Sequence, residues 1–196
     1  MRVWLTLCLS LALLSLLAWL QPPEVQAWLD WQPGLLGRQA WRAWTGALVH
    51  WSRLHLMANL AGTAVLALLG WAARLDARSS LAWLLAWPLT QIALLAQPGL
   101  LHFGGLSGVL HAGVAVAVVA LLRRPGRERG IGALMGIGLV LKLVLEAPLG
   151  GAPLRQVEGW DIAIAPLAHL TGSLAGGLCA IAMAVARVPA VRANRR

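Results

Sequence analysis

The sequence predicts an all-α membrane protein, a bundle of six transmembrane helices with both termini cytoplasmic, and three observations carry that prediction. First, 59% of its 196 residues are hydrophobic and only 12% are charged, with a mean hydropathy of +0.73. Soluble domains carry about 25% charged residues and about 45 to 50% apolar ones, so a water-soluble globule is excluded. Second, six apolar runs are separated by breaks containing Arg, Pro or Gly. Spans of about 20 residues each would take about 120 positions and leave no soluble domain beside them, so the chain reads as one transmembrane domain, 1–196. Third, the arginines fall mostly on one side.

The first run, Val3 to Leu20, follows Arg2 and precedes Gln21-Pro22-Pro23 and then Val25-Gln26-Ala27. That layout imitates a secretory signal peptide with a small residue at the cleavage position, but a run of 18 residues exceeds the usual signal core and favours a retained helix. Cys8 follows too large a residue, too early, to make a lipobox. Cys8 and Cys179 both lie in apolar runs and read as small hydrophobes. The stretch Gln21 to His50 holds Trp28, Trp31, Trp41 and Trp44 among prolines, glycines and arginines. Trp prefers the lipid–water boundary, so this stretch is expected on or in the outer interface.

The remaining helices are expected at Leu54 to Ala73, Ser79 to Gln97, Ser107 to Leu122, Ile131 to Pro148 and Ala163 to Ala186. With the amino terminus inside, Arg2, Arg74, Arg78, Arg123, Arg124, Arg127, Arg129, Arg187, Arg192, Arg195 and Arg196 share one side. Those eleven face four on the other, Arg38, Arg42, Arg53 and Arg155. The positive-inside rule therefore places both termini in the cytoplasm. Topology also accounts for the net charge of +9, since the basic residues are scattered between apolar runs and form no patch for nucleic acid. No metal cluster or nucleotide loop is legible, and no cofactor is expected.

Polar residues inside spans are expensive and ask for an explanation. Measured from the arginine that ends each helix, Ser107 lies about 24 Å up, His169 about 27 Å, Asn59 about 22 Å and His55 about 28 Å, at 1.5 Å per residue. In a hydrocarbon core about 30 Å thick, these four residues from three helices share one layer beneath the outer surface. Ser107 ends the Gly-rich loop His102-Phe103-Gly104-Gly105-Leu106 and begins a helix. A helix start leaves backbone N–H groups unpaired with the positive end of the dipole behind them, which suits a nucleophile beside a developing oxyanion. His169 heads a helix in which Gly172 and Gly176 lie four apart, a spacing that lets a second helix approach; the expected neighbour is the serine helix, through Gly108 and Ala112. That packing would bring imidazole to hydroxyl. The helices bearing this dyad carry no acidic residue at its level, whereas His55 and Asn59, one turn apart, can both donate to an oxyanion. The chemistry reads as acyl transfer within the membrane, with the acceptor, water or an amine, left open.

These residues resemble the rhomboid family of intramembrane serine proteases from Trp41 to Gly177. Trp41-Arg42 with Thr45 and His50 looks like the family's first-loop signature, and His55-Leu56-Met57-Ala58-Asn59 its His-x-x-x-Asn. Gly105-Leu106-Ser107-Gly108 is similar to the nucleophile motif, and Ala168-His169 with Gly172 and Gly176 to the helix that bears the base. The resemblance implies Ser107 as nucleophile, His169 as general base, and His55, Asn59 and the Ser107 N–H as oxyanion hole.

Two departures stand out. His111 occupies the position one turn after the nucleophile, often an aromatic in the family, and either stacks on His169 or competes with it as base. Lys142 and Glu146 form an i,i+4 pair within an apolar span, about 20 and 26 Å above Arg129, so Glu146 approaches the active layer. The pair either neutralises itself in a costly medium or shapes the substrate's access path. These departures, the compact size and the segment Gly104 to His111 look like the rhombosortase branch. That branch implies exported substrates with a carboxy-terminal Gly-Gly motif, a transmembrane helix and a basic tail, processed at a bacterial inner membrane from the periplasmic side. The rival reading is a catalytically inactive rhomboid-like protein that binds transmembrane helices; a small transporter is weaker, because its polar site would lie at the midplane.

Overall fold

The computed structural model describes residues 1–186. Its helices are α1 (Arg2–Trp19), α2 (Pro23–Leu29), α3 (Arg42–Thr45), α4 (Arg53–Ala72), α5 (Ala77–Ile92), α6 (Ser107–Leu122), α7 (Arg127–Glu146) and α8 (Pro166–Val185). Among the described residues there is no strand, only two isolated antiparallel bridges, Trp31 with Phe103 and Arg155 with Ile164. Four helical stretches are long and apolar enough to cross a membrane: Arg2–Trp19, Arg53–Ala72, Ala77–Ala96 and Pro166–Val185. The apolar α6 is shorter, at 16 residues. The expected cytoplasmic arginines Arg187, Arg192, Arg195 and Arg196 lie outside the described residues.

Helix ends depart from the expected ones for local reasons. Asp76 caps α5 by accepting from the Ser79 backbone N–H and hydroxyl, both at 2.8 Å, so that helix starts two residues early. Its regular part ends at Ile92, and a tighter turn follows over Ala93–Ala96. α7 starts at Arg127, before its apolar run, with Glu128 in the first turn, where the helix dipole favours an acid. α8 starts at Pro166 and not at Ala163. Ile164 is held extended by its pairing with Arg155, and proline suits the first helical position.

α6 is the axis of the bundle. Ten of its sixteen residues are buried, as a helix apolar all round but for Ser107 and His111 requires, whereas α7 buries only Gly132 among its twenty. Tryptophans key the other helices to this axis. Trp4 of α1 fills the space left by Gly70 on α4, donates to the Leu66 carbonyl at 2.8 Å and packs at a tilt against Trp83 with ring centroids 4.5 Å apart. Trp83 in turn donates to the Val109 carbonyl of α6 at 2.7 Å. α1 is thus a packed member of the bundle, with Trp4 and Leu11 fully buried. α8 lies closest to α6: a Cβ on Gly172 or Gly176 would overlap the Gly108 or the Ala112 carbonyl oxygen, so only glycine permits this approach.

The segment before α4 is more ordered, and more deeply set, than a Trp-rich interfacial loop. Trp28 and Trp41 are exposed, but Trp31 is completely buried. Its backbone exchanges two 2.8 Å hydrogen bonds with Phe103, and Gly46 leaves the space its Cβ needs. Asp30, also buried, accepts from Arg42 at 2.9 Å and from His102 at 2.7 Å. The Trp31–Phe103 pairing and the Asp30–His102 contact lock this segment to the loop that carries residues 102–106.

Candidate active site

Ser107 is the first residue of α6, delivered by Gly104 and Gly105. Gly105 has φ +137°, a conformation that L side chains rarely adopt, and a Cβ there would strike the His55 ring; a side chain on Gly104 would meet the Val49 carbonyl. Glycine is therefore required twice to bring the loop between α4 and the first segment. The free N–H groups of the first turn of α6 then emerge beside Ser107.

His169 lies in the first turn of α8, with Nε2 3.0 Å from Ser107 Oγ. The close helix contact through Gly172 and Gly176 sets that distance. His169 Nδ1 lies 2.7 Å from Glu146 Oε2 at the end of α7. A carboxylate can only accept, so Nδ1 carries the hydrogen and Nε2 turns its lone pair to the hydroxyl. Glu146 Oε1 pairs with Lys142 one turn earlier. The expected i,i+4 pair therefore exists, and its acid also reaches the imidazole, from a helix that bears neither member of the dyad.

His111 lies flat against His169 and donates through Nδ1 to the Ser107 carbonyl at 2.7 Å. Of the two readings for this ring, the geometry has it stacked.

His55 and Asn59 face the same space from α4. His55 Nδ1 is buried without a hydrogen-bond partner among the described residues. The α4 start is fixed by Ser52, whose hydroxyl accepts from the His55 N–H at 3.0 Å and bonds to Asp161. Asn59 gives one amide hydrogen to His50 Nε2 at 3.1 Å, leaving the second unspent. Burial, reinforced by the neighbouring His55, pushes the His50 imidazole down to about 4, so the ring is neutral near pH 7. Its Nδ1–H donates to the Leu48 carbonyl at 3.0 Å, which leaves Nε2 free to accept.

All eight residues singled out in the sequence converge on one locality. A cavity of about 470 Å³ is lined by Ser107, His169, His55, Asn59, His111, Lys142 and Glu146, with Arg155 and Trp160 from the loop before α8, and His50 supports it from behind. No protein-family model and no curated protein matches the chain. Three contributors had no signal in the sequence. Arg155, Trp160 and Asp161 lie in a Gly- and Pro-containing stretch without periodicity, and their placement depends on how that stretch folds back over α4 and α7. Chemically, the arrangement offers a hydroxyl whose proton an oriented imidazole can take, with the His55 ring and the Asn59 amide on the wall of the same cavity.

Proposed function

We propose that this chain is an intramembrane serine protease of the rhomboid type, akin to the rhombosortase branch, that cleaves exported proteins near a carboxy-terminal Gly-Gly segment. The observation that carries the reading is the 3.0 Å approach of His169 Nε2 to Ser107 Oγ, in a cavity that His55 and Asn59 also line. In this reading Ser107 Oγ attacks the scissile carbonyl carbon and its proton passes to His169 Nε2. The oxyanion takes hydrogen bonds from His55, Asn59 and the Ser107 N–H. As the C–N bond breaks, the same proton goes to the leaving amine, and water then resolves the acyl-enzyme with His169 as base.

The proposed topology has six spans, both termini in the cytoplasm and the site open toward the periplasm of a Gram-negative inner membrane. Support comes from the four long apolar helices and from Arg74, Arg78, Arg123, Arg124, Arg127 and Arg129 gathered at helix ends remote from Ser107. The purified protein, incubated with a membrane substrate bearing a Gly-Gly tail, should release a fragment whose mass reports a cut near that segment. Ser107→Ala and His169→Ala should each abolish the cut while remaining folded, and a fluorophosphonate should label Ser107. Parent-rate cleavage by folded Ser107→Ala overturns the mechanism, and absence of both labelling and cleavage would leave an inactive binder of transmembrane helices.

A further inference from the structure

Glu146 is the last residue of α7, and the way that helix ends is the starting point. Ala147 adopts a left-handed conformation with φ 44°, which stops the helix and turns the Glu146 and Ala147 carbonyls away from it. Arg155 takes both, with Nη1 on the Glu146 oxygen and Nη2 on the Ala147 oxygen, each at 2.7 Å. The same residue exchanges backbone hydrogen bonds of 2.8 and 2.9 Å with Ile164, two residues before α8 begins. One arginine therefore clamps the end of α7 to the beginning of α8, at the level where Glu146 meets His169.

The Glu146 side chain is divided between two partners. Oε2 receives His169 Nδ1–H at 2.7 Å, and Oε1 pairs with Lys142. His169 is nearly buried and Glu146 mostly so, with side chains 8% and 17% exposed, whereas Lys142 is 46% exposed. A carboxylate whose only task was to neutralise Lys142 could do so anywhere along the open side of the helix. Here it is turned inward to the imidazole, and the flexible lysine follows it.

We infer that Glu146 is a positioning residue that completes a Ser107–His169–Glu146 triad, each member supplied by a different helix. The inference rests on the serine-protease reading above and adds to it a third member that the dyad-bearing helices lack. Glu146 holds the Nδ1–H tautomer and the ring plane of His169 throughout turnover. The Ser107 proton moves to Nε2 and on to the leaving amine, and Glu146 neither gains nor loses a proton. Lys142 offsets the cost of keeping a carboxylate in apolar surroundings.

The test compares Glu146→Gln, Glu146→Asp and the double variant Lys142→Met/Glu146→Gln by kcat, KM, the rate of fluorophosphonate labelling of Ser107, and thermal unfolding. Glu146→Gln should lower kcat and labelling by about a hundredfold to ten-thousandfold with KM within about twofold, because an amide can hold the wrong tautomer. Glu146→Asp should restore part of the loss. The double variant carries no unpaired charge, so it should unfold like the parent yet remain as slow as Glu146→Gln. Recovery of parent kcat in the double variant would reduce Glu146 to a counterion for Lys142 and overturn the triad. Parent kcat in Glu146→Gln, with Ser107→Ala and His169→Ala dead, would overturn it while leaving the protease reading intact. Parent-rate cleavage by Ser107→Ala would remove the protease reading, and the triad with it.

Discussion

His111 lies face to face with His169, ring centroids 4.2 Å apart and planes 16° from parallel, while its Nδ1 is spent on the Ser107 carbonyl. The ring is thus a wall against which the His169 imidazole is held, one turn along the helix from Ser107. Stacked aromatic pairs contribute about 0.5 to 1.5 kcal/mol beyond buried area. His111→Ala should therefore lower kcat by up to about tenfold. His111→Phe, which keeps the face but no ionisable nitrogen, should stay near the parent. Steady-state cleavage by the two variants checks this, and a dead His111→Phe would make His111 a proton carrier instead of a wall.

Asn59 and His50 should behave as one unit. In the proposed mechanism Asn59→Ala removes a donor to the oxyanion, and it should cost about 3 kcal/mol, roughly a hundredfold or more in kcat, with little change in KM. His50→Ala leaves the Asn59 amide without the 3.1 Å contact that holds it and should cost less. Since His50 acts through Asn59, the double variant should be no slower than Asn59→Ala alone. Additive losses in the cycle would mean that His50 contributes by a separate route.

The α6–α8 contact predicts a sharp positional contrast. Gly172→Val places a side chain where the Gly108 carbonyl is, and neither backbone can yield cheaply. Thermal unfolding in detergent should fall by an amount corresponding to about 1 to 3 kcal/mol or more, and cleavage should be lost as His169 is pushed off Ser107. Gly177→Ala, with open space at its Cβ inside the same helix, should cleave like the parent and unfold no earlier than it.

The client supplies the fourth prediction. In the proposed topology α6, with 16 residues, covers about 24 Å of a core about 30 Å thick, so a peptide bond would reach Ser107 only in extended form. Glycine favours helix by about 1 kcal/mol less than alanine and lets backbone approach donors closely. Replacing both glycines of a Gly-Gly client by leucine should greatly reduce its cleavage. Equal cleavage of the leucine client would leave a protease indifferent to that motif.

Residues whose roles depend on neighbours along one helix were legible in the sequence. His55 and Asn59 are one turn apart, Gly172 and Gly176 announce a close partner, and the glycines before Ser107 announce a helix start; each is a statement about a single element. Other features depend on which faces of distant segments meet. Lys142 and Glu146 read as a pair at i,i+4, but that spacing says nothing of the second carboxylate oxygen, whose partner is chosen by the left-handed turn at Ala147 and the Arg155 clamp. Trp31 is indistinguishable from Trp28 and Trp41 by composition. Only the backbone pairing with Phe103, far along the chain, carries it inside.

His169 is separated from Ser107 by 62 positions, and its carboxylate partner Glu146 lies 23 positions before it. Ribosomes add residues in chain order, so α6 is complete while Ser107 still lacks the His169 imidazole. On the serine-protease proposal, the hydroxyl gains its base only once α8 has packed its glycines against α6. A chain that still lacks α8 would then be unable to cut its surroundings, and the order of synthesis would act as a safety catch.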